Sequence, residues 1–382
     1  MNLNNNNRYT FHAVQFLLML ITACSFCAKS STLPPDFPQE QAVKDAQALL
    51  NHGVRTVMDK VLTPPSGDKH DWVTQAPYWW PDRAHPFGPY IRQDGKRNPE
   101  IDRWTDDKYF TDMLRTTEAL SQGYVATQDE MYAKRVAEIL RSWFIDEATK
   151  MNPNLDYGQF VPGRSQGRGE GIISTRFIYK VPQIIHRIET SKSWTDQDRV
   201  AMQAWFEAYY EWLTTSRIGV EETHHVNNHQ TWYLVQKVSL EIELNRLDLA
   251  KKTLYFVLNQ VVPAQIKTSG LQPKELERTK SFSYSSMNLN AFWVLAYLGK
   301  SIGVDFMSNP NGQLLFKATD ALLPYDDLSH WPYRQISSGA EKDFCRPLYW
   351  VQLFSSDSKY QDAQVRFACP NTVESYFIKN GL

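Results

Sequence analysis

From Asp36 to the C-terminus, apolar residues return every three or four positions in one segment after another, while runs alternating at a period of two are few and short. That repetition restricts the chain to an all-helical fold. Residues 37 to 61 place Val43, Ala46, Leu50, Val54, Val57 and Val61 on one side of a helix. Residues 131 to 144 do the same with Tyr132, Val136, Ile139, Leu140, Trp143 and Phe144. Thr195 with Asp198 three positions on reads as a capped helix start, followed by a stripe of Val200, Ala204, Trp205, Tyr209, Trp212 and Leu213. Similar stretches predict helices over about 105–124, 172–190, 228–243, 246–262, 286–302 and 342–356.

Two architectures suit such a succession: a bundle or solenoid of helix pairs, or an α/α toroid whose inner helices ring a cleft. Three long segments favour the toroid: Lys69 to Asn98, Asn152 to Glu170 and Gly270 to Tyr284, each carrying polar and aromatic residues. Loops of this length are commonly functional, and here they are expected to gather over one mouth of an incomplete barrel of helical hairpins. No internal repeat and no linker follows residue 36, so residues 37–382 read as a single domain.

The first residues read as an export signal. Arg8 precedes the apolar run Ala13 to Ile21, which is too short to span a bilayer. Ile21-Thr22-Ala23-Cys24 resembles a bacterial lipobox, which makes 1–23 a signal peptide, Cys24 a lipidated N-terminus and 24–36 a tether. The expected location is periplasmic or on the outer membrane, with membrane contact through the lipid alone. Cys345 and Cys369 read equally as a disulfide or as two buried thiols.

Charge excludes some partners. Lys plus Arg number 41 against 42 Asp plus Glu, so no global field draws the protein to nucleic acid or to an anionic membrane surface. Any charged polymer must be recognised locally. The load of 12 Trp, 19 Tyr and 19 Phe suits stacking on sugar faces, although most of these rings are expected in the core. His224, His225 and His229 come near zinc spacing but lack an HExxH or CxxC partner, so no metal and no cofactor is expected.

The densest polar stretch is Thr223-His224-His225-Val226-Asn227-Asn228-His229-Gln230-Thr231-Trp232-Tyr233, at the expected entrance of a helix. On a helix start, Asn228 and His229 would project into neighbouring space with Trp232 packed behind them. The plainer reading makes Asn227 a cap and the histidines partners for buried backbone groups. Downstream, Glu277-Arg278-Thr279-Lys280-Ser281-Phe282-Ser283-Tyr284 sets an arginine, a lysine and a tyrosine ahead of the apolar helix expected near Met287. A tyrosine beside cations can give and take a proton. The bland alternative is a loop anchor beside a solvated arginine.

These residues, with Ala76-Pro77-Tyr78-Trp79-Trp80-Pro81-Asp82 and Asp94-Gly95-Lys96-Arg97-Asn98-Pro99-Glu100, resemble the alginate lyase superfamily of polysaccharide lyases, and polysaccharide lyase family 38 most of all. Arg278 stands one position nearer the tyrosine than the arginine of the family 5 enzymes does. The resemblance implies a helical toroid that cleaves alginate or a glucuronan by β-elimination. It implies that Asn228, His229 and Arg278 neutralise the uronate carboxylate while Tyr284 moves the protons, with His229 as base where the reacting groups lie on opposite ring faces. Chemistry agrees, since elimination needs a neutralised carboxylate, a base for the C5 proton and an acid for O4.

Substrate binding is expected from the cationic loop Arg164, Gln166, Arg168 and Glu170, from Tyr78, Trp79 and Trp80 as stacking rings, and from His225 and Lys69. Two rivals stand: a glycoside hydrolase on the same toroid using Asp156 and Glu170, and a surface-anchored glycan-binding protein without catalysis.

Overall fold

The structure, a computed structural model, describes residues 33–382. The leader, the lipobox and the tether up to residue 32 lie outside the described residues. The long periodic stretches are helices, and where they stop short the breaking residue is visible. α1 (Gln39–Leu49) ends before Asn51-His52-Gly53 instead of running to residue 61. A 3₁₀ turn at Val57–Asp59, capped by Thr56, still delivers Val57 to the core, whereas Val61 is exposed.

α2 (Asp106–Thr127) and α3 (Glu130–Phe144) follow expectation. The helix expected over 172–190 divides into a 3₁₀ segment, Gly169–Thr175, and α4 (Lys180–Ile188). Pro182 in the first turn of α4 has no N–H and its ring blocks a further α turn behind it. α5 (Asp196–Thr215) opens with the expected capping box, Thr195 and Asp198 each accepting from the other's backbone N–H. Val200 is a correction, since it faces solvent. Then come α6 (Arg217–Glu222), α7 (Asn228–Glu243) and α8 (Leu247–Phe256), which passes through a π turn at Val257–Val261 into α9 (Val262–Gln265). The last third holds α10 (Pro273–Leu276), α11 (Ser281–Ser301), α12 (Leu314–Leu322), α13 (Cys345–Val351), α14 (Ser358–Arg366) and α15 (Val373–Asn380).

α11 starts six residues earlier than the apolar pattern indicates, so Tyr284 belongs to a helix and not to the preceding loop. Its cap comes from far along the chain: Gln335 Oε1 accepts from the backbone N–H groups of Phe282 (3.0 Å) and Ser283 (3.4 Å). The serines at 281, 283, 285 and 286 are weak helix formers that hide this turn from a sequence reading.

Each helix packs on its successors: α1 on α2, α2 on α3 and α4, α3 on α5, α5 on α7, α7 on α11, and α11 on α12 and α13, with α14 and α15 on α13. Lys180 of α4 brings the two ends together, its ammonium donating to Glu118 of α2 (2.7 Å) and Glu374 of α15 (2.6 Å). Arg346 of α13 reaches the same Glu374 at 2.9 Å. The result is an α/α toroid. α11 is buried nearly all round, from Phe282 to Leu298, as an inner helix must be. Cys345 and Cys369 form a disulfide, which decides between the two readings of that pair and ties α13 to the end of α14.

Among the described residues, strands are confined to the long loops. β1 (Val73–Gln75) lies parallel to β4 (Tyr157–Phe160), Val73 opposite Tyr157, and joins the first two loops. β2 (Trp79–Trp80) and β3 (Ile91–Arg92) form a short antiparallel pair.

Candidate active site

A cleft of about 850 Å³ opens where these loops meet the first turns of α2, α7 and α11. The N-terminal ends of α7 and α11 bring partial positive charge to it. Asn227 caps α7, its Oδ1 accepting from the His229 backbone N–H at 3.0 Å, so the plainer reading holds for that residue. The next two side chains line the cleft.

His229 is oriented from behind. Its Nδ1 lies 2.8 Å from Oε1 of the fully buried Glu222, an arrangement that fixes the ring and leaves Nε2 for the cleft. The other Glu222 oxygen is 3.3 Å from His225 Nε2 but off the line of a hydrogen bond. Gly169 makes room for this carboxylate, since a Cβ there would stand 3.1 Å from Glu222 Oε2. Asn228 has an equivalent support in Glu275, whose carboxyl accepts from the Asn228 backbone N–H (2.6 Å) and from its Nδ2 (2.8 and 2.9 Å).

Tyr284 and Tyr78 share a hydrogen bond of 2.7 Å between their hydroxyls. Burial pushes the Tyr284 phenol well above its ordinary pKa and Tyr78 adds to this, while the Arg278 guanidinium opposes it. Tyr284 therefore rests protonated. Arg278 stacks over the Tyr284 ring at 4.1 Å and spends Nε and Nη2 on Asp94, the nearest contact being 2.8 Å. Nη1 makes no hydrogen bond with the described residues. Burial works to raise the Asp94 carboxyl, but Arg278 and the Thr279 hydroxyl and N–H hold it well below the usual carboxylate range. Gly95, at φ +73°, permits this approach, because a Cβ there would fall 2.2 Å from Thr279 Oγ1.

Of the expected site residues, Asn228, His229, Arg278, Tyr284, Tyr78, Trp79, Arg168, Glu170 and His225 line the one cleft. Lys69, Trp80, Arg164 and Gln166 do not. Trp80 donates to the Lys96 carbonyl (2.8 Å), and Arg164 donates to the Tyr90 carbonyl (2.6 Å) while its guanidinium lies 5.2 Å from the Trp79 ring centre. Glu170 pairs with Arg168 at 3.0 Å; burial works to raise its carboxyl, but Arg168, its own backbone N–H, His229 and His225 together hold it below the ordinary value. Asp156 accepts from Trp212 Nε1 (2.8 Å) and is not part of the cleft wall.

Sequence reasoning missed Glu222, Glu275, the partnership of Asp94 with Arg278, and Gln159. Gln159 lines the cleft at φ +47°, a backbone conformation that side chains other than Gly, Asn and Asp seldom adopt, and it accepts from Arg168 Nη2 at 2.9 Å. Among the described residues, no group of three or more His, Cys, Asp or Glu is arranged to hold a metal ion.

The sequence matches the alginate lyase family over residues 56–331. The chain belongs to this family. It is a polysaccharide lyase. A crystal structure of an alginate lyase from Bacteroides ovatus is 33% identical over 89% of this chain and 92% of that one, with a TM-score of 0.82. The lyase also shares its fold with a His→Ala variant of alginate lyase A1-III complexed with a tetrasaccharide (15% identity, TM-score 0.51, 88% and 90% coverage). The A1-III enzyme comes from Sphingomonas species A1. No curated protein matches the chain.

Proposed function

We propose that the lyase depolymerises alginate by β-elimination in this cleft, with Asn228, His229, Arg278 and Tyr284 as its reacting set. One observation carries the reading: the Tyr284 hydroxyl and a His229 ring oriented by Glu222 line the same cavity as the Arg278 guanidinium. The 33% identical relative, an alginate lyase by description, supports alginate as the polymer.

Arg278 Nη1 and the Asn228 amide neutralise the uronate carboxylate, which acidifies the C5–H bond. A base takes that proton, the electron pair forms the C4–C5 double bond, the C4–O4 bond breaks, and an acid protonates O4. Tyr284 rests as the acid. His229 Nε2, with Nδ1 engaged by Glu222, serves as base where C5–H and O4 lie on opposite faces, as in guluronate. Where they share a face, as in mannuronate, the Tyr284 oxygen receives the C5 proton as its own proton passes to O4, so the residue ends protonated as it began. Arg168, Tyr78 and Trp79 are positioned to hold neighbouring sugars. A hydrolase would need two carboxyls across the bond, one with a raised pKa. Glu170 is held low and Asp156 is engaged with Trp212, so that alternative is not favoured.

The test is substitution read on two homopolymers. Tyr284→Phe is expected to lower the rate of unsaturated-uronate formation at least ~10³-fold on both polymannuronate and polyguluronate, in line with loss of acid and base catalysis. His229→Ala is expected to be more severe on polyguluronate. Substantial activity in Tyr284→Phe on either polymer would remove Tyr284 from the mechanism.

A further inference from the structure

Asn228 is fully buried, yet its Oδ1 has no hydrogen-bond partner. The cause is Glu275, itself 1% exposed, whose two oxygens both take the Asn228 Nδ2 donor at 2.9 and 2.8 Å while Oε1 also accepts the backbone N–H. A buried amide oxygen left unpaired forfeits the hydrogen bonds it has in water. The arrangement also has the wrong sign for the chemistry, because in a residue that lines the cleft the atom not held by Glu275 is an acceptor, whereas a uronate carboxylate calls for a donor. Exchanging the amide oxygen and nitrogen corrects the sign and leaves the open position to a donor that a substrate carboxylate can pair, since the two atoms are nearly isosteric. The exchanged amide then sets Oδ1 against Glu275, which must supply a proton.

We propose that Glu275 is a positioning residue acting as a neutral carboxylic acid: it donates its proton to Asn228 Oδ1, accepts the Asn228 backbone N–H, and so turns Nδ2 toward the substrate carboxylate. This deepens the elimination reading and rests on it. Burial favours the neutral form of Glu275, against the hydrogen bonds from Asn228 and the charges of Arg278 and His229 that face it. On its own helix Lys274 is engaged with Glu277 (3.2 Å), and Glu222 lies behind His229. Docking of a uronate carboxylate on Nδ2 then requires the protonated form. Where Glu275 is ionised in the free enzyme, binding takes up a proton; as pH rises further, binding weakens.

Gln carries the same donor and acceptor as the neutral acid, so it separates this role from a carboxylate role. Glu275→Ala is expected to lower kcat/KM ~100-fold, a loss typical of a misplaced reacting group, and Glu275→Gln to recover it to within ~3-fold with the alkaline limb of the pH profile moved upward. A Gln variant as impaired as the Ala variant, at an unchanged melting temperature, would overturn the proposal. A second measurement stands apart from catalysis: calorimetry of a saturated mannuronate trimer binding to Tyr284→Phe, at a pH on the alkaline limb, in two buffers of different ionisation enthalpy. Uptake of about one proton that disappears in Tyr284→Phe/Glu275→Gln is expected. Equal uptake in both proteins would overturn it. If the wild type forms no unsaturated uronate from any polymer, the elimination reading fails, while the calorimetry still scores Glu275 by itself.

Discussion

Asp94 decides where the charge of Arg278 sits. It takes two of the three guanidinium nitrogens and the Thr279 N–H and hydroxyl, which directs the remaining nitrogen and holds the cation on the Tyr284 ring. Asp94→Asn is expected to lower kcat ~100-fold through misplacement of Arg278. Its pKa is depressed in the fold, so its contribution to stability is present above the unfolded value of ~3.9 and lost as pH falls below it. Thermal melts should show the Asn variant less stable at neutral pH by about 1–3 kcal/mol, with the gap closing in acid. A gap that widened in acid would reverse the sign of the argument. Asn228, His229, Arg278 and Tyr284 were legible because their residue types are rare in such density at helix starts. The acids behind them were not. Glu222, Glu275 and Asp94 are ordinary letters in sequence: Glu275 and Asp94 gain meaning only from partners 47 and 184 positions away, and Glu222, seven positions from His229, only from the turn between α6 and α7 that brings the two together.

Helices were legible where one face is apolar, as in α3 and α5, and least so where burial is complete. α11 has no stripe to read, and its first turn depends on Gln335, which no local pattern announces. Pro182 and Pro347 shorten α4 and α13 against the apolar periodicity, which is blind to the missing N–H. Between elements, Lys180 is the junction of α2, α4 and α15. Lys180→Met leaves Glu118 and Glu374 facing each other without their shared cation. A loss of about 3 kcal/mol is expected, the low end for a broken buried pair because Glu374 is 30% exposed. Chemical denaturation measures it, and Lys180→Met/Glu374→Gln should regain part of the loss. A Met variant of wild-type stability would show that Arg346 alone neutralises Glu374.

At the scale of the molecule, the near balance of 41 basic and 42 acidic residues leaves selectivity for an anionic polymer to one cleft, which gathers Arg92, Arg97, Arg168, Arg176 and Arg278 along its walls. The toroid and its first two long loops were legible together, because helical succession and loop length are both sequence properties; the third, Gly270 to Tyr284, holds α10 and the first turn of α11 instead. Which loop residues reach the cleft was not, since β1 with β4 and β2 with β3 set that by backbone pairing, turning Trp79 in and Trp80 toward the Lys96 carbonyl. The most direct test of alginate elimination follows ultraviolet absorbance of unsaturated uronate on polymannuronate, polyguluronate and glucuronan, alongside a count of new reducing ends. Absorbance is expected to rise in step with reducing ends on at least one alginate polymer. Reducing ends without absorbance, or cleavage of glucuronan alone, would contradict it.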